Sequence, residues 1–358
     1  MDKTDASGAA TLAEDDNGPG TGTSNAPKLW REPAGAWPNS LALGYSVLGY
    51  IAGFFLMASD EWVVAAAGVL LVTHAMVVAA YLIHEAAHYT LFSSPAHNRL
   101  AGEAMSWFAG SAYASFDRIR HLHLRHHRDR ADVTCFDYKA FVRARPWLRR
   151  ALVALEWAHF PAVEVLMHLQ VIMRPFIERT QRRHLPRVAT VLAMRMMMFG
   201  TLAYISVQAA LLYLVAYTLL LTVLNFFDAF HHTFEQYFVD ADAAVPMNRR
   251  DRAYEQAHTF SNVVSVRWPW LNRLTLNFGY HNAHHERAAV PWYRLPELNR
   301  ELFGAQSREL LPLSELWRTI HRNRVLRVMD DDYGEVGEGR GRADGFVGAH
   351  GVSFLTVV

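Results

Sequence analysis

The apolar runs in this chain are too long for the half-buried helices of a water-soluble domain. Residues 40–58 hold no charged or amide side chain, and residues 62–83 are apolar apart from Thr73 and His74. Each is about 20 residues, the length that crosses a bilayer core of ~30 Å. Residues 188–230 are about twice that length, with Gly200 and the polar Ser206 and Gln208 near the middle. They divide naturally into two spans, 188–205 and 209–230, joined by a tight turn around 205–209. Arg195 is the exception inside the third span, placed near enough to one end to snorkel to the surface.

Charge in the connecting segments sets an expected orientation. The link between the first two spans carries Asp60 and Glu61 but no lysine or arginine, and the turn near 207 carries no charge. Residues 118–187 hold 15 arginines and lysines, and Lys28 and Arg31 precede the first span. The positive-inside rule then places both termini on the cytoplasmic side. Residues 98–116 and 151–173 mix acidic or histidine side chains with apolar ones and suit helices lying at an interface. With 231–330 they are expected to form a helical cap. Residues 1–37 and 331–358 are rich in small and polar residues and read as disordered tails flanking a membrane domain over 38–330. The net charge of +1 and the absence of a groove-reading motif give no case for nucleic acid. A single cysteine, Cys135, excludes an intrachain disulfide and thiolate-rich metal sites.

Chemistry is concentrated in three histidine clusters beside these runs: HEAAH at 84–88, HLHLRHH at 121–127 and HNAHH at 281–285. Residues three and four apart share a helix face, so His84 and His88, then His123, His126 and His127, then His281, His284 and His285 each present imidazoles to one side. Neutral imidazole is the commonest metal ligand. Eight clustered histidines exceed the four ligands of one tetrahedral zinc and suggest two metals. The isolated His74, His97, His159, His168, His184, His321 and His350 fit hydrogen-bonded structural or solvated roles better.

HEAAH also matches the zinc-protease pattern HExxH, with Glu85 as general base. That alternative leaves the other two clusters unexplained. Glu85 fits better as a hydrogen-bond partner that fixes the tautomer of a ligand imidazole. A histidine-built two-metal site beside a membrane suits activation of dioxygen by iron. The C–H bonds of a lipid tail have no acidic proton and no leaving group, so acid–base or nucleophilic chemistry cannot cut them. A strongly oxidising redox centre can.

The clusters resemble the three histidine boxes of the integral-membrane fatty acid desaturase and hydroxylase family, one of HxxxH or HxxxxH and two of HxxHH. Here they are HEAAH, the HLRHH within 123–127, and HNAHH. The first ends the second span, the second follows about 35 residues later, and the third lies about 50 residues beyond the fourth span. The resemblance covers roughly 40–330. It implies a further ligand near the end of the fourth span, where Asp228 and His232 stand four apart in FFDAFHHTFEQY. A member of that family carries asparagine at the first of these positions, so Asp228 is a departure, and binding to metal directly, through a water or not at all are its three alternatives. His231 and His121 neighbour the boxes outside their spacing, and His258 suits a structural role. No HPGG haem-binding signature occurs, so electrons are expected from a separate ferredoxin, rubredoxin or cytochrome b5, drawn to the arginine-rich face.

The expectation is therefore an all-α protein with four transmembrane helices in two hairpins and a cytoplasmic helical cap. Its nine histidines (His84, His88, His123, His126, His127, His232, His281, His284 and His285), with Asp228, hold two iron ions. The expected reaction is dioxygen-dependent desaturation of a lipid acyl chain. Hydroxylation or ketolation of a lipid or carotenoid is the alternative, ahead of the zinc protease and of a non-catalytic metal-binding protein.

Overall fold

A computed structural model of the chain describes residues 28–234, 237–239, 251–304, 308–339 and 341–352. Four of its helices are long and apolar enough to cross a membrane. They are α1 (Ala36–Met57), α2 (Trp62–Ala87), α8 (Leu185–Ile205) and α9 (Val207–Asp228). The first two agree with the expected spans except that both extend by about a turn at the cap end. The turn expected around 205–209 is a single residue. Ser206 adopts an extended conformation that ends α8, and its side chain accepts from Ala209 N–H (3.1 Å) to cap α9.

The four helices are buried very differently. At 26 residues α2 spans about 39 Å, more than a bilayer core needs. Every residue from Ala75 to Ala87 is buried, so the second half of α2 is sheathed on all sides. Helix α1 approaches it closely at Gly53 and Gly68. A Cβ on Gly68 would lie 2.7 Å from Met57 N, and one on Gly53 would lie 2.3 Å from a Val72 methyl. Small residues at such crossings let backbones meet and gain dispersion contact where lipid offers no hydrophobic drive. Helix α9 also packs on α2, tied by Thr73 Oγ1 donating to the Ala216 carbonyl (3.1 Å). By contrast α8 buries Val188, Val191 and Arg195 while exposing Met194, Met196, Met197, Tyr204 and Ile205. Arg195 does not snorkel outward. It is buried, donates to the Trp107 carbonyl and lies against the Trp107 ring.

The rest of the chain gathers at the end of the molecule where α2 and α9 finish. Between α2 and α8 run α3 (Pro95–Ala109), α4 (Phe116–Asp129), α5 (Tyr138–Arg143), α6 (Pro146–Trp157) and α7 (Ala162–Ile177). After α9 come α10 (Arg252–Ala257), α11 (His281–Glu286), α12 (Leu295–Phe303), α13 (Leu313–Arg322) and α14 (Arg324–Met329). The fold is not purely helical. Two short parallel ladders join distant segments: β1 (Asp132–Thr134) with β2 (Tyr237–Val239), and β3 (Ser261–Val263) with β4 (Leu310–Pro312). The first draws the segment after α4 to the segment after α9.

The two tails differ from the disordered flanks expected from composition. Residues 1–27 and 353–358 lie outside the described residues. Within the described part, Trp30 stacks on Phe92 with ring centroids 4.8 Å apart, anchoring the chain ahead of α1. The 331–352 segment folds back into the core: Phe346 is fully buried, Ala349 N–H donates to the Ala229 carbonyl (3.1 Å), and Arg327 Nε donates to the Val347 carbonyl (2.7 Å). Its glycines suggested disorder, yet Gly348 permits close docking. Its φ is +78°, and a Cβ there would meet the Ala229 carbonyl at 2.5 Å.

Candidate metal centre

Each histidine cluster sits where local structure pins it. His84 is on the last turn of α2, and His88 caps that helix. The chain reverses at Tyr89 (φ +59°), whose ring lies under the Arg120 guanidinium at 4.1 Å. Arg120 Nε also donates to the Ala87 carbonyl (2.9 Å), satisfying a helix-end acceptor. Helix α4 is capped by the Ser115 hydroxyl, which accepts from Arg118 N–H. It turns Leu122 inward together with His123, His126 and His127. The third cluster is the short buried helix α11. The reversal before it places Leu276 and Asn277 at positive φ, held by Asn277 N–H on the Asn272 carbonyl and Asn277 Nδ2 on the Trp292 carbonyl.

All nine expected histidines converge, and they divide into two groups. His84, His88, His123, His127 and His284 form one, and His126, His232, His281 and His285 form the other, with nitrogens in each within 4.8 Å of one another. In the first, Nε2 atoms face each other at 3.0 Å (His84–His284), 2.6 Å (His88–His123), 3.2 Å (His127–His123) and 3.1 Å (His284–His127). In the second the spacings are 3.3 Å (His126–His285) and 3.0 Å (His281–His232).

The opposite ring nitrogens show which way the lone pairs point. His126 Nδ1–H donates to the Ala131 carbonyl (3.0 Å), and His285 Nδ1–H donates to the Glu255 carboxylate (2.9 Å). Thr259 gives its hydroxyl proton to the Glu255 carbonyl (2.7 Å), so its oxygen accepts from His232 Nδ1–H (3.2 Å). With the proton on Nδ1, each of these rings directs an Nε2 lone pair into its group. Burial first, and neighbouring imidazoles second, hold His88, His123, His127, His232, His281, His284 and His285 well below the usual histidine range. Burial lowers His126 to about 4 even though its carbonyl contact opposes the shift. These eight rings are neutral at pH 7. Buried lone pairs aimed at one another repel unless a cation lies between them. Two all-imidazole donor sets of this kind fit two first-row transition ions such as iron.

Glu85 lies behind His84, not among the inward nitrogens. One carboxylate oxygen is 3.4 Å from His84 Nδ1, while the other accepts from the Thr90 hydroxyl (2.6 Å) and Trp292 N–H (3.1 Å). That position suits an orienting carboxylate and leaves the HExxH protease without its general base. Asp228 lines a cavity of about 60 Å³ together with His123, His126, His231, His232 and His281. The remaining wall is mainly Leu122, Val133, Phe278 and Val352. His231 stacks on His281 at 3.8 Å and turns Nε2 to the Asn262 side-chain oxygen (3.0 Å). His121 is exposed on the outer face of α4, and His258 bonds the Tyr254 carbonyl (2.8 Å).

The supporting residues on the second group were not visible from spacing. Glu255 accepts from both His285 and Arg130 Nε (2.9 Å), and with His127 and His285 it forms a third potential metal-binding set. It lies in RAYEQAHTF, where nothing local distinguishes it from other acidic residues on a short helix. Thr259, Asn262 and the Ala131 carbonyl matter only because the fold brings them to the backs of rings.

Comparison with known proteins agrees with this geometry. The fatty acid desaturase family matches residues 60–317, an interval that contains all nine histidines. The sphingolipid delta(4)-desaturase of Drosophila melanogaster is 27% identical over 292 residues, covering 77% of this chain and 78% of that protein. A sphingolipid delta(4)-desaturase of Candida albicans is 47% identical over 47 residues, 13% of this chain and 12% of that protein. The chain belongs to the fatty acid desaturase family and is an oxidoreductase acting on lipid acyl chains.

Proposed function

We propose that this protein desaturates the hydrocarbon chain of a membrane lipid, using dioxygen and two electrons from a separate donor. The two hydrogens lost by the chain, with two further electrons and protons, reduce dioxygen to two waters. His84, His88, His123, His127 and His284 would hold one iron, and His126, His232, His281 and His285 the other, with Asp228 bound directly or through a water. Bound iron would supply the oxidising power that an unactivated C–H bond requires. The chain itself supplies neutral imidazoles locked in one tautomer and a small cavity in which histidine and aspartate side chains meet the apolar Leu122, Val133, Phe278 and Val352. The observation that carries this reading is the gathering of nine imidazoles into two groups beside that cavity. The matched relatives are sphingolipid desaturases, which makes a saturated sphingolipid the first substrate class to test.

In this reading α1 with α2 and α8 with α9 form two membrane hairpins. Both termini and the histidines then lie on the cytoplasmic side, which accords with the acidic link at Asp60 and Glu61 and the arginine-rich 118–187. The inner face of α4 carries three of the histidines while its outer face exposes His121 and Arg128. An acidic ferredoxin, rubredoxin or cytochrome b5 docked there would stand one helix thickness from the site.

The test is lipid analysis of a host expressing the protein, with metal analysis of the purified enzyme. Unsaturated products, two irons per chain, and loss of both activity and iron in His232→Ala are expected. Products that are only oxygenated would replace desaturation with hydroxylation, and one zinc without iron would end the di-iron reading.

A further inference from the structure

We infer that the C-terminal segment is a built-in wall of the reaction cavity, with Val352 as a residue that sets which part of the acyl chain reaches the histidines. This rests on the desaturase reading above. Val352 lies more than sixty residues beyond the last histidine box, yet it lines the same 60 Å³ cavity as Asp228, His232 and His281. The space is small on the scale of an acyl chain. A change of side-chain size at Val352 therefore alters its wall next to the histidines.

The placement of Val352 is determined by what precedes it. Ala349 N–H is bonded to the Ala229 carbonyl, one residue past Asp228. The His350 ring lies between two acidic side chains, 3.3 Å from Glu156 and 3.6 Å from Glu164, and its Nδ1–H donates to the Asn225 side-chain oxygen (3.0 Å). Gly351 N–H donates to Glu164 (3.1 Å). Consecutive residues 349, 350 and 351 are thus each anchored, together meeting α6, α7 and α9. These bonds fix the chain up to Gly351, immediately before Val352. With Leu122, Val133 and Phe278 it forms the apolar part of a wall whose other part is histidine and aspartate, so a methylene chain lying on it would be held beside the imidazoles.

Truncating the segment would expose a core that includes Phe346, so the test uses point variants of the full-length enzyme. Val352→Ala is expected to raise minor positional isomers or oxygenated by-products several-fold. Val352→Phe should lower turnover more than tenfold, with iron content unchanged in both. An arm independent of turnover uses Cys135→Ser/Val352→Cys. Its thiol should react with a maleimide at least several-fold more slowly when a saturated sphingolipid is present in the detergent micelles. A wild-type product pattern and rate in both Val352 variants overturns the inference, whatever the labelling shows. If the wild type yields no unsaturated product, the desaturase reading falls, and labelling decides separately whether Val352 faces a lipid. Equal labelling with and without lipid removes it from the cavity.

Discussion

The two histidine groups are built from the same boxes in opposite ways. The second box sends its i, i+4 pair, His123 and His127, to the five-member group and His126 to the other. The third box sends its i, i+4 pair, His281 and His285, to the four-member group and His284 to the other. Adjacent residues on a helix point about 100° apart, so each HH pair straddles the two groups while each i, i+4 pair closes one of them. HEAAH serves the five-member group alone. The four-member group is completed by His232, from the irregular chain after α9, and contributes three rings to the cavity that also holds Asp228. The difference teaches that the five-member group meets this cavity through His123 alone, while the four-member group has fewer rings and meets it through three.

The sharpest way to break that comparison is to remove one member of an HH pair at a time. His126→Ala should lose the metal of the four-member group, and His127→Ala that of the five-member group. Each variant should retain close to one iron per chain, with turnover down more than ~100-fold. If either variant loses both irons, the groups act as a single cluster and the division has no functional meaning.

A smaller effect separates the carboxylates behind the rings. Glu255 has two donors on it, Arg130 Nε and His285 Nδ1–H, both at 2.9 Å. An amide offers one acceptor oxygen, so Glu255→Gln leaves one donor unmet or turns the His285 tautomer. Iron binding to the four-member group should weaken about 10–100-fold. Glu85 is farther from its ring, at 3.4 Å, and Glu85→Gln should weaken the five-member group less than ~10-fold. Competition with a chelator, read by iron remaining per chain, checks the order. Equal losses from both variants would remove the asymmetry.

Much of this was legible in the sequence because two periodicities carried it. Runs of bilayer length marked the four long helices, and i, i+3 and i, i+4 spacing marked the histidines. Hydropathy did not distinguish α2, sheathed through its last thirteen residues, from α8, which buries three, because both environments select apolar side chains. Spacing could not show which ring joins which group, since that depends on the relative rotation of α4 and α11. Glu255, Thr259 and Asn262 act through contacts between segments distant in sequence. The C-terminal segment was obscured by its composition: its glycines served a close approach to Ala229, not flexibility. Its one informative residue, His350, finds its acidic partners nearly two hundred residues earlier.

That segment supplies the smallest and most selective test, because Val352 borders the cavity of the four-member group. Burial alone would lower His350, but Glu156 and Glu164 outweigh it and raise the imidazole to about 9. Burial would likewise raise Glu164, yet His350 and Gly351 N–H hold it below the usual carboxylate range. The ring also faces Asn225 on α9, which does not titrate, while Arg327 on α14 interacts with the same two carboxylates. A base with a raised folded-state pKa contributes stability that is complete below its unfolded value of ~6.5 and is lost as pH rises through the folded value. A shift from ~6.5 to about 9 corresponds to an upper bound on the order of 3 kcal/mol. Hydrogen-exchange protection of 343–352, corrected for the intrinsic rate, should therefore fall progressively between about pH 6.5 and 9. Over the same range the end of α2, which carries the five-member group, should stay protected. His350→Gln should be poorly protected already at pH 7 and show no such transition. Flat wild-type protection across this range would mean that His350 does not latch the segment, and would leave the anchoring to its other bonds, among them those to Ala229, Arg327 and Glu164.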